Sequence, residues 1–132
     1  MPIPAEKAIE MVRTAHAEAA KLDITVTAVV VDEGGRLVAL GRMDRARPIT
    51  VDIAMNKAYT AASFQQPTDQ LKGLAGQAWF QSLIVSSNGR IMPGGGALPV
   101  VEGGGVVGAV AVAGGTENQD QRCCEAALAS YA

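Results

Sequence analysis

Ile24-Thr25-Val26-Thr27-Ala28-Val29-Val30-Val31-Asp32-Glu33-Gly34-Gly35-Arg36-Leu37-Val38-Ala39-Leu40-Gly41-Arg42 is the stretch whose reading decides the fold. Residues 24–32 are rich in Val and Thr, and Ala28-Val29-Val30-Val31 is apolar without alternation, as in a strand covered on both faces. Glu33-Gly34-Gly35 reads as a turn, and residues 36–42 resume with Leu37 and Ala39 alternating against Val38 and Leu40. Two such runs across a short glycine turn make an antiparallel hairpin.

Upstream, Ile9, Val12, Ala15, Ala19 and Leu22 recur at helical spacing over residues 4–22. Downstream, Val51, Ala54, Ala58 and Ala61 mark a second helix from Thr50 to Phe64, with Ile53, Lys57, Thr60 and Phe64 as its neighbouring stripe. Thr68 is positioned to cap a short helix through Trp79, although Gly73 and Gly76 weaken it. Ser87-Asn88-Gly89 then predicts a hairpin between strands at residues 82–86 and 90–92. Residues 97–101 and 106–113 read as two further strands, and Gly108 inside the second predicts a bulge or a close neighbour. Thr116 and Gln119 have the spacing of a capping box opening a last helix. Hairpins outnumber crossovers, so the expectation is one α+β domain over residues 1–132, an antiparallel sheet of about five strands with helices on its faces.

Composition fits a core of small side chains. Only five of the 132 residues are aromatic, 15 are glycine, and ten of those lie between Gly89 and Gly115. Eleven Lys and Arg against 13 Asp and Glu leave no basic field for a nucleic-acid backbone. No apolar run reaches the roughly 18 residues that span a bilayer. Residues 1–7 lack the pattern of a signal peptide, so the expectation is a soluble, cytoplasmic protein with no membrane partner.

Few residues carry recognisable chemistry. His16 is the only histidine and lies on the stripe Ile9, Val12, His16, Ala19, so it reads first as a packing residue, and a histidine-rich zinc site is excluded. Cys123 and Cys124 are adjacent, diverge by about 100° on a helix, and read as small buried hydrophobes. Arg42, Asp44 and Lys57 form the most suggestive polar group. They read either as a structural Lys57–Asp44 ion pair or as a pocket in which Arg42 and Lys57 hold a carboxylate. Gly94, Gly95 and Gly96 make either a tight turn or a nest of backbone N–H groups for an anion.

At these residues the sequence resembles the GlcG/HbpS family, the haem-degrading or DUF336 domain also related to the C-terminal domain of PduO. Val31-Asp32, Gly35, Leu37-Val38 and Arg42-Met43-Asp44 resemble its opening signature, and Asp52-Ile53-Ala54 with Lys57-Ala58-Tyr59-Thr60-Ala61 its central helix. Pro93-Gly94-Gly95, Leu98-Pro99-Val100, residues 106–109 and Gly114 resemble its glycine-rich end, and Asp120 with the Cys-Glu-Ala stretch its last helix. Arg45 stands where the family commonly has glycine, and the run from Gly94 to Pro99 is longer than usual.

The resemblance implies a profilin-like domain, a five-stranded antiparallel sheet between helical layers, assembled as a homo-oligomer. It implies haem or a related tetrapyrrole as the candidate cofactor; Arg42 and Lys57 add the expectation of an anionic small-molecule ligand, and the residues offer no metal site of the chain's own. Arg42, Lys57, Thr60, Gly94, Gly95, Gly96 and Pro99 are then the expected binding residues. The alternative is a small cofactor-free enzyme of carboxylate or aromatic catabolism (a hydrolase, deaminase or tautomerase). There Lys57 acts as acid/base, Arg42 clamps the carboxylate and Asp44 orients one of them. A third reading is an assembly module without chemistry.

Overall fold

The structure, a computed structural model, describes residues 2–132. Helix α1 (Ala5–Lys21) leads into β1 (Thr27–Asp32) and β2 (Leu37–Arg42), followed by α2 (Ile49–Phe64), a 3-10 helix (Thr68–Leu74) and α3 (Ala78–Ser86). The chain closes with β3 (Ala97–Glu102), β4 (Gly105–Ala113) and α4 (Glu117–Tyr131). The strands form one antiparallel sheet in the order β2-β1-β4-β3.

Because alternate strand residues face opposite sides, β1 divides cleanly. Ala28 and Val30 join Met11, Ala15, Cys124 and Ala127 beneath α1 and α4, while Val29 and Val31 join the other cluster beneath α2. That second cluster is almost wholly alanine: Ala54, Ala58, Ala61 and Ala62 on the helix meet Ala97, Ala109, Ala111 and Ala113 on the sheet. Small side chains bring α2 close to the strands, which accounts for the scarcity of aromatics. Three layers result, helices–sheet–helix. No helix among the described residues is long and apolar enough to cross a membrane.

The first turn is held by Asp32, whose Oδ1 accepts the N–H groups of Gly34 and Arg36, both at 2.9 Å. At Gly108 both sequence signals hold. The β3–β4 register shifts between Val100 and Val101 beside it, and a Cβ there would strike the Val31 carbonyl oxygen. Thr116 and Gln119 close the capping box of α4, their reciprocal bonds measuring 3.2 and 2.9 Å.

The sheet has four strands, not five. Residues 82–86 are helical, and Asn88-Gly89 ends α3 instead of turning a hairpin. Asn88 at φ 59° donates its N–H to Val85 O, and Gly89 at φ 78° donates to Ile84 O. This is a Schellman closure, which needs the same left-handed residues as a two-residue hairpin. Residues 90–92 are not paired as a strand. Thr60 on α2 holds them: its hydroxyl accepts the Met92 N–H (2.8 Å), its single proton lying between Asn56 O (2.7 Å) and Arg90 O (3.1 Å). The expected helix from Thr68 to Trp79 is divided at residues 75–77, and the Thr68 hydroxyl reaches Ala97 O instead of capping.

Candidate functional site

Lys57 lies on the inner face of α2, four residues after Ile53, and only 5% of it is exposed. A buried ammonium must find acceptors for its three N–H groups. Lys57 Nζ donates to Val112 O (2.7 Å) and Gly95 O (3.0 Å) and lies 3.5 Å from Asp120 Oδ2. Asp120 projects inward from the first turns of α4, and its Oδ1 accepts the Gly115 N–H at 2.9 Å. The ion partner of Lys57 is therefore Asp120 and not Asp44, which is exposed in the β2–α2 loop. Burial pushes the Asp120 carboxyl above the usual range, against the pull of the Lys57 ammonium and the Gly115 N–H.

The glycine run wraps this pair. Gly96, at φ 111°, lies so close that an added Cβ would strike Lys57 Nζ and approach Asp120 Cβ and Val112 O at 2.9 Å. Its N–H groups are engaged within the chain: Gly94 donates to Thr68 O, Gly95 to Glu117 Oε1 (2.8 Å) and Gly96 to Gln121 Oε1 (3.3 Å). The anion seated on this nest is the protein's own Glu117. The Gly95 N–H, and then Lys72 at 3.1 Å, hold its carboxyl below the usual range. Cys124 lies beneath, fully buried, its Sγ 3.1 Å from Gly96 O. Burial raises both thiols, Cys123 to about 11 and Cys124 further, so neither is a nucleophile at neutral pH.

Above the Lys57–Asp120 pair opens a cleft of about 610 Å³, between the β2–α2 loop, the start of α2, residues 92–95 and the β4–α4 connection. Ile24, Ile49 and Ile53 supply apolar wall, Met92 and Pro93 the opposite side, and Arg45 and Arg47 the rim. Of the sequence-derived site residues, Lys57, Gly94 and Gly95 line this cleft, and Gly96 lies directly beneath. Arg42 and Asp44 do not line it. Arg42 braces the loop by donating Nε–H to Ala46 O at 3.0 Å. Thr60 fixes residues 90–92, and Pro99 lies in β3 opposite Ala109, at the sheet edge where its missing N–H is harmless. His16 packs beside β2, its Nε2 2.9 Å from Gly41 O.

Sequence reasoning passed over Asp120, Arg45, Arg47 and Glu117 as site residues. For Asp120 a signal existed: it shares the stripe of Cys124, Ala127 and Tyr131, and a carboxylate on a core stripe answers the lysine on the stripe of α2.

The model of the haem degrading protein HbpS-like family matches residues 3–129. The chain belongs to that family. Protein GlcG of Escherichia coli is 34% identical over 111 residues, covering 81% of this chain and 78% of GlcG. The crystal structure of Klebsiella pneumoniae protein ORFY superimposes with a TM-score of 0.91 at 35% identity, over 98% of this chain and 90% of that one. PduOC, crystallised as a haem complex, has the same fold, with a TM-score of 0.90 at 24% identity over 98% and 95% of the two chains.

Haem as a family ligand can be tested against these residues. The cleft offers two cations for propionates and apolar walls for a ring, but no histidine or thiolate for iron, Met92 being its one soft donor. His16, the only histidine, lies outside it. The cleft fits the acidic edge of a tetrapyrrole and not its metal. Among the described residues no cluster of three or more His, Cys, Asp and Glu could hold a metal ion.

Proposed function

We propose that this protein binds an anionic small molecule in the cleft over the Lys57–Asp120 pair, haem or a related tetrapyrrole being the candidate that the family supports. One observation carries the reading: among the described residues Arg45 and Arg47 have no salt-bridge partner, while Lys57, the other cation of the cleft, has one in Asp120. The size of the cleft is ordinary for a small-molecule site. Binding is favoured over the enzymatic alternative because Lys57 has no uncommitted N–H and the glycine N–H groups are engaged, so neither serves a reacting atom. Lys57 is a brace, holding the Gly95–Gly96 bend to β4 and α4.

Self-association is part of the same reading. The strand β2 lies at an edge of the sheet and carries exposed Leu37 and Leu40, an edge that suits pairing with a second copy. The reading of a cytoplasmic setting is supported by two free, buried cysteines and no disulfide.

Titrating the purified protein with haemin and with iron-free protoporphyrin IX tests the ligand. Haem binding predicts a Soret shift that saturates at stoichiometric haemin, and no shift rejects haem. With iron ligation absent from the cleft, the two porphyrins are expected to bind with similar affinity.

A further inference from the structure

The described residues include four non-glycine positions with positive φ: Asp23, Arg45, Gln65 and Asn88. Three follow helices. Asp23 comes just after the C-cap of α1, Gln65 is the C-cap of α2, and Asn88 closes α3. A left-handed residue at a helix C-terminus frees carbonyls to be capped and is common. Arg45 ends no helix. It is the third residue of the turn 43–46, closed by Ala46 N–H on Met43 O at 3.1 Å, and at φ 72° it holds the position where such turns favour glycine. Its side chain makes no hydrogen bond or ion pair among the described residues that offsets the strain. Unrepaid backbone strain at a cleft points to function.

The loop fixes where its two arginines stand. Ala46 is buried at 2% exposure and its carbonyl is held by Arg42, so the flanking Arg45 and Arg47 are both left outside, on the cleft. Arg47 is anchored through its backbone, its carbonyl accepting from the Thr50 hydroxyl at 2.6 Å, and that hydroxyl lies 2.8 Å from the Thr27 hydroxyl. Behind them α2 begins without a side-chain cap, and Asp52 in its first turn offsets the positive end of its dipole. The carboxylates of the cleft do not cancel these charges. Asp120 faces Lys57, Glu117 faces Lys72 and Gly95, and only the exposed Asp23 remains on the rim.

From this arrangement we infer that Arg45 and Arg47 form a two-point clamp for a ligand bearing two carboxylates, with Arg45 the specificity-determining residue. This rests on the reading of the cleft as an anion site. A monocarboxylate would leave one of the two unpaired arginines of the cleft without a counter-charge, whereas a dicarboxylate offers each a carboxylate to meet in bidentate fashion. The two carboxylates have two chemical sources, a compact dicarboxylic acid or the paired propionates of a tetrapyrrole.

The test is calorimetric titration, at low ionic strength in a buffer free of phosphate and carboxylates, with glutarate, propionate and protoporphyrin IX. The parent protein, Arg45→Gly and Arg47→Gln are compared. A doubly carboxylated probe is expected to bind the parent protein at least about tenfold more tightly than propionate, and each variant to lose roughly that factor. Arg45→Gly is also expected to melt no lower than the parent, because glycine relieves the left-handed strain. A purely structural arginine would not combine unchanged stability with lost binding. Glutarate binding identifies the compact acid as the source, and protoporphyrin binding alone identifies the tetrapyrrole. Equal affinity for propionate and glutarate with no porphyrin binding, or variants that bind like the parent, would overturn the clamp and leave the anion site standing. If no probe binds the parent protein, the anion reading falls and the clamp with it.

Discussion

Lys57→Met is the sharpest perturbation of the cleft floor. Both side chains of the Lys57–Asp120 pair are about 6% exposed. Removing the ammonium strips Gly95 O and Val112 O of their donor and leaves the Asp120 carboxylate with the Gly115 N–H alone. Breaking a buried pair from one side costs about 3–5 kcal/mol, because the surviving charge is uncompensated. Asp120→Asn should also be costly, since it leaves the ammonium with two carbonyls and no counter-charge. The double variant Lys57→Met/Asp120→Asn removes both charges while an amide oxygen can still accept from Gly115. Its loss should fall short of the summed single losses by about 1–3 kcal/mol. Urea unfolding followed by circular dichroism, with the slope m checked for constancy, gives all three values. A Lys57→Met loss below about 1 kcal/mol, or strict additivity in the cycle, would refute the assignment of this pair as the brace of the glycine bend.

Two further outcomes follow from close contacts and charge. Gly108→Ala drives a Cβ into the Val31 carbonyl and to 2.6 Å from Ile3 Cδ1, at a position in central strand β4 where the backbone cannot yield. A loss of roughly 3 kcal/mol is expected, measured as the midpoint of thermal or urea unfolding. Glu117 has a folded pKa below its ordinary value of 4.5, so its stabilisation is complete above about that pH and drains as pH falls through the lower, folded value. Glu117→Gln should flatten the fall in melting temperature over that acid window. An unchanged acid limb would show that the Gly95 and Lys72 contacts contribute nothing to stability.

How far the sequence carried the fold depended on the range of the cause. The β1–β2 hairpin was legible because alternation and Gly34-Gly35 act within a few residues, and the capping box at Thr116 and Gln119 likewise. Asn88-Gly89 was ambiguous because two different closures demand the same left-handed pair, and what lies on either side of it chose the helix end. The absent fifth strand could not be foreseen, since the Thr60 hydroxyl, 30 residues away in sequence, does for residues 90–92 what a ladder would have done. At the site, Lys57 and the glycine run were legible as unusual residue types in unusual places. Arg42 and Asp44 looked equally suitable, but the turn at residues 43–46 hands the cleft to Arg45 and Arg47. That exchange rests on the closed turn and on the burial of Ala46 between the two arginines, which composition and spacing do not encode.

The thiol of Cys124 lies beneath the glycine bend, with no solvent exposure and its sulfur on Gly96 O. A thiol so placed reacts with an external reagent only during excursions in which the layer above it lifts. Its modification rate is therefore a clock for those excursions, the intrinsic rate of the thiol being scaled down by the free energy of opening. Cys123, equally buried one residue earlier, keeps time on the same helix. Whatever occupies the cleft and steadies the bend should slow the clock, so the chain carries its own built-in gauge of occupancy.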